Sequence, residues 1–357
     1  MPLGRKGRLT DQSVAMERPE DIGLVFEALR RVPSRGPFTR ERAQCEVAEE
    51  VGYQLLANPD WIAPHVDGLV REGVAAAMNF DWLCPLMEHA SAGLVVEAAD
   101  RARADEKDVA ATLLLLAART PDAMTVIADL ARSRDRVRDD CRYLGFDVPA
   151  EGPAEPRFTI ERRATQFHGG TAVTEALHAV GLPLAEVVAP GEDRITWHYL
   201  SVTPGEFPAL PRWPGRAHII SIRAWPDWTV FGRPDETGRL VVTHIELGED
   251  RSLDDLKDKL DEAAADPGQP VGAVELLPFD DRLTCGNQHP LFTPGVIGVL
   301  GGPPMGLAFA PACPGCGRLM FHAGHIEARP REYGDGFRSL FLCERCRVSA
   351  TLATLWN

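Results

Sequence analysis

The 357-residue chain has no apolar run long enough to cross a bilayer. The longest, VAATLLLLAA from Val109 to Ala118, is about half of the roughly 20 residues that a crossing requires, so it reads as a buried helix. The opening stretch, MPLGRKGRLTDQS, is basic and then polar with no apolar core behind it. It therefore offers neither a secretory signal nor an anchor, and it predicts a disordered start over residues 1–17. Cysteine is sparse: eight in so long a chain make no disulfide scaffold, and the four that cluster do so in metal-ligand spacing, which points to a reducing, cytoplasmic setting. Positive charge is also short. With a formal net charge of −14 the molecule should repel nucleic acid and anionic membrane at long range, so a polyanionic partner would need a local basic patch.

Enzyme signatures are missing as well. No G-x-S-x-G elbow occurs to present a nucleophilic serine, and VLGGPPMG (Val299–Gly306) lacks the Lys-Ser/Thr of a phosphate loop, so it reads as a turn. No carboxylate pair stands in a context that implies a raised pKa.

What is present divides the chain in two. From Pro19 to about Gly145 the apolar residues recur at helical spacing, with Ile22, Val25, Phe26 and Leu29 on one face and Ala43, Val47, Val51 and Leu55 on another. Asn58-Pro59 and Thr120-Pro121 each set a capping side chain before a proline at the first helical position, where its missing N–H is no loss; Asp105 and Asp108 mark a similar start. The reading is an all-helical domain over 18–147, either a bundle or a short α-solenoid. VPAEGPAEP (Val148–Pro156) has the composition of a linker. After it the period changes. RITWHYLSV, AHIISIRAW, WTVFG and RLVVTHIEL have strand length and β-branched or aromatic content, and one helix, capped by Ser252 and carrying Leu253, Leu256, Leu260 and Ala264, interrupts them. Residues 157–357 are thus expected to form a mostly antiparallel α+β domain, giving an α+β chain.

The most specific signal lies within 313–346. Cys313-Pro-Gly-Cys316 and Cys343-Glu-Arg-Cys346 are two chelating pairs, and four thiolates complete the tetrahedral shell of a Zn²⁺ ion. A closed shell of four thiolates keeps no position for water or substrate, so the expected zinc is structural. His322 and His325, between the pairs, are candidates to replace a cysteine or to bind a second ion. The remaining chemical candidates are weaker. His168 precedes a glycine pair and a helix capped by Thr171, which has the outline of an oxyanion or anion-binding loop. Cys285 and His289 offer a thiol and a base. Cys45, Cys84 and Cys141 read as core residues.

LGGPP, CPGCGRLMF, YGDGFRSLFLCERC and ATLATLW, in that order from Leu300 onward, resemble the end of the YwqG-like domain family of bacterial proteins. The resemblance implies an α+β domain whose knuckle, carried here by Cys313, Cys316, Cys343 and Cys346, is structural, and some relatives are suspected of being immunity proteins. The leading expectation is a non-enzymatic binding protein of the immunity or adaptor kind, whose acidic surface suits a basic protein partner. A nucleic-acid-binding zinc ribbon is the alternative, using Arg318, Arg329, Arg331, Arg338, Arg345 and Arg347 with Phe321, Tyr333, Phe337 and Phe341. A hydrolase of unrecognised type, using His168 or Cys285 with His289, is the third.

Overall fold

The structure is a computed structural model that describes residues 21–31, 40–169, 176–192, 195, 197–222, 228–247, 272–278, 296–304, 309–327 and 336–355. The residues 1–17 expected to be disordered, the helix starting at Ser252, Thr171, Cys285, His289, Arg329, Arg331 and Tyr333 lie outside the described residues, as do the side chains of Phe26 and Phe337. Two compact units divide the chain at Val137/Arg138.

The first unit is helical: α1 (Asp21–Arg31), α2 (Arg40–Ala57), α3 (Pro59–Ile62), α4 (Val66–Arg71), α5 (Phe80–Met87), α6 (Ala92–Ala104), α7 (Val109–Ala118) and α8 (Pro121–Ser133). The division falls within α9 (Asp135–Tyr143). Spacing of three and four residues puts Ile22, Val25 and Leu29 of α1, and Ala43, Val47, Val51 and Leu55 of α2, on buried faces. Cys45 stands two residues from both Ala43 and Val47, which turns it to the opposite face, and it is exposed rather than part of the core. Cys84 and Cys141 are buried. Thr120 accepts the Ala123 N–H at 3.2 Å and Asp108 the Ala111 N–H at 2.9 Å, as their capping positions predict. Asn58 does not cap. Its side chain turns back to donate to Gln54 Oε1 at 2.9 Å, leaving Pro59 alone to mark the start of α3. α7 is VAATLLLLAA, buried nearly throughout and ended by Arg119 in the left-handed conformation. No described helix is long and apolar enough to cross a membrane.

The second unit is built on strands. β1 (Phe146–Asp147) and β2 (Glu155–Pro156) pair antiparallel in a hairpin, so residues 148–156, read from composition as a linker, form a loop and return strand inside this unit. The other strands are β3 (Arg162–Gly169), β4 (Ala179–Val180), β5 (Trp197–Val202), β6 (Ala217–Ser221), β7 (Trp228–Pro234), β8 (Leu240–Leu247), β9 (Gly272–Pro278), β10 (Val296–Gly301), β11 (Phe321–Glu327), β12 (Gly336–Cys343) and β13 (Val348–Leu355). A short helix, α10 (Leu184–Val187), stands between β4 and β5. The order is β6-β5-β4-β9-β3-β10-β11-β12-β13-β7-β8, antiparallel throughout.

The right-handed twist inherent in so many strands curls the sheet toward a nearly closed barrel. Edge strand β6 comes back against β13. There Thr351 Oγ1 accepts the Ile220 N–H at 3.3 Å and donates to the His218 carbonyl at 3.4 Å. Leu340 and Leu342 of β12 point into the barrel with Leu200, Val202, Ile219 and Leu300, whereas Phe341 and Cys343, one residue out of phase, point the other way. Both faces of β12 are therefore covered, which is why SLFLC reads as a continuous apolar run instead of an alternation.

Candidate metal centre

The outer face of β12 and β13 carries the cysteines. In the first knuckle the Cys313 N–H donates to the Arg318 carbonyl at 2.8 Å, and Gly317 N–H returns to the Cys313 carbonyl at 2.8 Å, which folds CPGCG into a tight turn. Gly315 N–H points at Cys313 Sγ at 3.4 Å. The second knuckle is the turn that joins β12 to β13, with Cys343 as the last residue of β12. The residue after the second cysteine is left-handed in both knuckles: Gly317 at φ 71° and Arg347 at φ 52°. Glycine takes that conformation freely, whereas an L-side chain pays roughly 1–2 kcal/mol for it, so the second turn is held in its shape by what surrounds it.

The four sulfurs lie within 4.8 Å of one another, and Cys316 Sγ to Cys343 Sγ is 3.7 Å. A disulfide would bring two sulfurs to about 2.05 Å. Four ligands at about 2.3 Å around a tetrahedral ion stand about 3.8 Å apart, close to the Cys316–Cys343 separation and within the 4.8 Å that bounds all four sulfurs. Cys313 and Cys343 are buried against Phe231, Leu319, Met320 and Phe341, while Cys316 and Cys346 are partly exposed. Gly315 permits this approach: a Cβ there would sit 3.0 Å from Cys346 Sγ. The Arg233 guanidinium reaches the same spot, 3.4 Å from that Cβ position, and brings positive charge to a thiolate cluster.

The thiols compete for a single negative charge. Burial opposes ionisation of Cys316, but the Arg318 N–H and hydrogen bonds with Cys343, Cys346 and Cys313 outweigh it and hold that thiol below its usual value. Burial, then hydrogen bonding with Cys313, its charge and hydrogen bonding with Cys316, pushes Cys343 up to about 12, and Cys346 is raised by burial and then by its neighbours Cys316 and Cys313. A divalent cation would remove this competition, because a coordinating cysteine binds as the thiolate and releases its proton to solvent. The residues present thus fit a thiophilic ion such as Zn²⁺.

No known protein family, curated protein or solved structure matches this chain.

Among the described residues the metal-competent group contains the four cysteines and no histidine. His322 and His325 stand on β11 with their rings stacked 6.0 Å apart and 16° from parallel. His322 Nδ1 donates to the Gly302 carbonyl at 2.9 Å, and burial lowers the two rings to about 4 and about 3, with the charges of His322 and Arg162 adding to the effect on His325. They are core residues, and the LGGPP turn fixes His322 through the Gly302 carbonyl. Gly301 in that turn has φ 77°, and a Cβ there would lie 2.0 Å from the Glu161 carbonyl oxygen. His168 is on the surface, 3.2 Å from Glu275.

Composition did not reveal the clamp on the first knuckle. Arg318 Nε donates to Asp147 Oδ2 at 2.6 Å and its Nη2 to Glu155, so one guanidinium ties the β1–β2 hairpin to the turn between the first two cysteines and β11. Arg157 Nε donates to the Leu319 carbonyl at 3.0 Å, and His322 N–H to the Arg157 carbonyl at 2.6 Å. Arg338 is also committed inside the fold: it is buried, with its guanidinium over the rings of Tyr199 and Trp228 at 5.9 and 5.6 Å.

Proposed function

We propose that Cys313, Cys316, Cys343 and Cys346 hold one structural Zn²⁺, and that the chain is a non-enzymatic, YwqG-like protein-binding protein of the immunity or adaptor kind with a basic protein as its partner. The sulfur geometry supports this reading: four thiols from two knuckles converge within 4.8 Å of one another. Four thiolates leave the ion no open position for water or substrate, so its contribution is to fold a ribbon-like element rather than to activate a reactant. The segments that carry the family resemblance fall on the end of β10, the first knuckle, β12 and β13, one continuous part of the sheet. Ion-pairing of Arg318 and burial of Arg338 take two arginines away from the nucleic-acid alternative. The net charge of −14 favours rapid, salt-sensitive association with a basic surface.

Metal analysis of the purified chain tests the first part. One zinc per chain is expected, lost in Cys313→Ser and Cys343→Ser and kept in Cys84→Ser; full zinc in Cys313→Ser would refute the assignment. For the second part, the full chain is used to capture partners at low and at physiological salt. Turnover of a small molecule by the chain, abolished by His168→Ala, would overturn the binding-protein reading.

A further inference from the structure

A guanidinium without a carboxylate stands over the cysteines. Arg233, near the end of β7, is exposed and forms no ion pair among the described residues. Arg239, in the turn that follows, pairs with Asp235 at 3.5 Å. Asp235 is the carboxylate nearest to Arg233 in the chain, and it is engaged by that turn: it accepts the Thr237 N–H at 2.8 Å and the Arg239 N–H at 2.9 Å.

The strand sets where Arg233 points. Phe231 packs with Cys313 and Cys343 in the apolar cluster behind the metal centre, and Arg233, two residues on, shares its face of β7. β7 pairs with β13 as far as Gly232 and Ser349, so the next residue of β7 comes level with the β12–β13 turn that carries Cys346. The two side chains meet at Gly315. The point that a Cβ would occupy there is 3.0 Å from Cys346 Sγ and 3.4 Å from Arg233 Nη2, so no more than two contact distances separate guanidinium from sulfur.

Four thiolates around a divalent ion leave two net negative charges. On the buried side they face Phe231, Leu319, Met320 and Phe341, which cannot solvate charge. Gly315 N–H, 3.4 Å from Cys313 Sγ, is a weak donor. The charge has to be answered on the side of Cys316 and Cys346, the two partly exposed cysteines. Arg318 is close in the chain, but its guanidinium is held by Asp147 and Glu155. Glu344, Arg345 and Arg347 of the second knuckle are exposed, and the carboxylate offsets one of the two arginines. Arg233 is the cation that a separate strand brings up to the sulfurs.

We propose, on the zinc reading above, that Arg233 is the counter-charge of the metal centre: β7 holds its guanidinium on the Cys346 side of the four thiolates, and this charge retains the ion. Arg233 is a positioning residue and no ligand, because a guanidinium has no lone pair to give a cation. It acts through Cys346, whose thiolate it stabilises against leaving the ion. Its charge matters more than its shape, so zinc affinity should track the charge at position 233. The effect should also fade as salt screens an exposed group.

The test is a charge ladder in the full chain, Arg233→Lys, Arg233→Gln and Arg233→Glu, with zinc affinity measured by chelator competition at fixed pH and each variant compared with wild type at the same salt. Groups around a metal site are worth about 10–100-fold in affinity, and the lower figure suits an exposed one. At about 0.01 M ionic strength, where the Debye length is roughly 30 Å, Arg233→Lys should stay within about threefold of wild type, Arg233→Gln should bind about 10-fold more weakly and Arg233→Glu about 100-fold. At about 1 M, where the Debye length is roughly 3 Å, each step should contract to about threefold or less. Cobalt(II) in place of zinc reads the ligands themselves, and the absorption of a four-thiolate site should persist in Arg233→Gln. A flat ladder, an order that does not follow charge, deficits that salt leaves unchanged, or a cobalt spectrum with fewer thiolates in Arg233→Gln would each overturn the proposal. A wild-type chain that binds one zinc and shows a flat ladder refutes the counter-charge alone, whereas a wild-type chain that binds none refutes the zinc reading with it.

Discussion

Arg318→Met removes the guanidinium that pairs with both strands of the β1–β2 hairpin from the first knuckle, while keeping most of the side-chain volume. Asp147 is 13% exposed and accepts at 2.6 Å, so that bond keeps most of the roughly 1.5–3 kcal/mol of a charge-assisted hydrogen bond. Glu155 is 46% exposed and Arg318 itself 39%, so the second bond is screened by solvent and adds a few tenths at most. The loss should be about 2 kcal/mol, or about a 30-fold change in the equilibrium for detaching the hairpin. Limited proteolysis within Val148–Pro156 reads that equilibrium: the wild-type segment should resist cleavage, and the variant should be cut about 30 times faster under conditions where opening is in equilibrium. A competing zinc chelator gives a second readout, since a loosened turn should release the metal more readily. Asp147→Asn combined with Arg318→Met completes a double-mutant cycle. If that cycle shows coupling below about 0.3 kcal/mol, or if the wild-type segment is cut as fast as the variant, the clamp does not exist and the segment behaves as a linker.

Gly315→Ala puts a methyl group 3.0 Å from Cys346 Sγ, so zinc affinity in a chelator competition should fall about 10-fold with the fold retained, the order of loss seen when groups around a metal site are disturbed. Phe341→Ala empties a fully buried position between His322 and the cysteines and should cost about 3–5 kcal/mol of second-unit stability in urea unfolding. His322 and His325 have folded values near 4 and 3, below the roughly 6.5 of the unfolded chain. Their contribution is complete above pH 6.5 and declines below it, so the urea midpoint should fall with acid and His322→Asn should flatten that fall.

The succession of helices and then antiparallel strands was legible because it rests on local spacing. Ile22 and Leu29, or Ala43 and Val51, announce a buried helical face without help from the rest of the chain, and the two CxxC pairs announce a common ligand in the same way. What depends on distant partners was not legible. Val148–Pro156 has the composition of a linker, and its order comes from an arginine 171 residues beyond Asp147. Asn58 carries the right residue for a cap, yet Gln54 offers its side chain a closer partner. His198, Ser201 and His218 are isolated polar residues in strands that are otherwise apolar. Such residues are a signal in themselves, because a buried polar group has to be paired, but only the register of β5 against β6 shows with what.

The two-sided burial of β12 also bears on how the sheet finds its alignment. A strand with one wet face is indexed by its own alternation, since a slip of one residue would carry every apolar side chain into water. β12 lacks that safeguard: slipping SLFLC by one position would exchange leucines for a phenylalanine on either side and leave both faces greasy. Cys343 supplies the missing index mark. Only one alignment delivers its sulfur to the other three, so on the proposed zinc reading the four cysteines act as a register key for the strand pair β12–β13. A chain deprived of zinc while folding would then be expected to accumulate misaligned sheets rather than merely a frayed end.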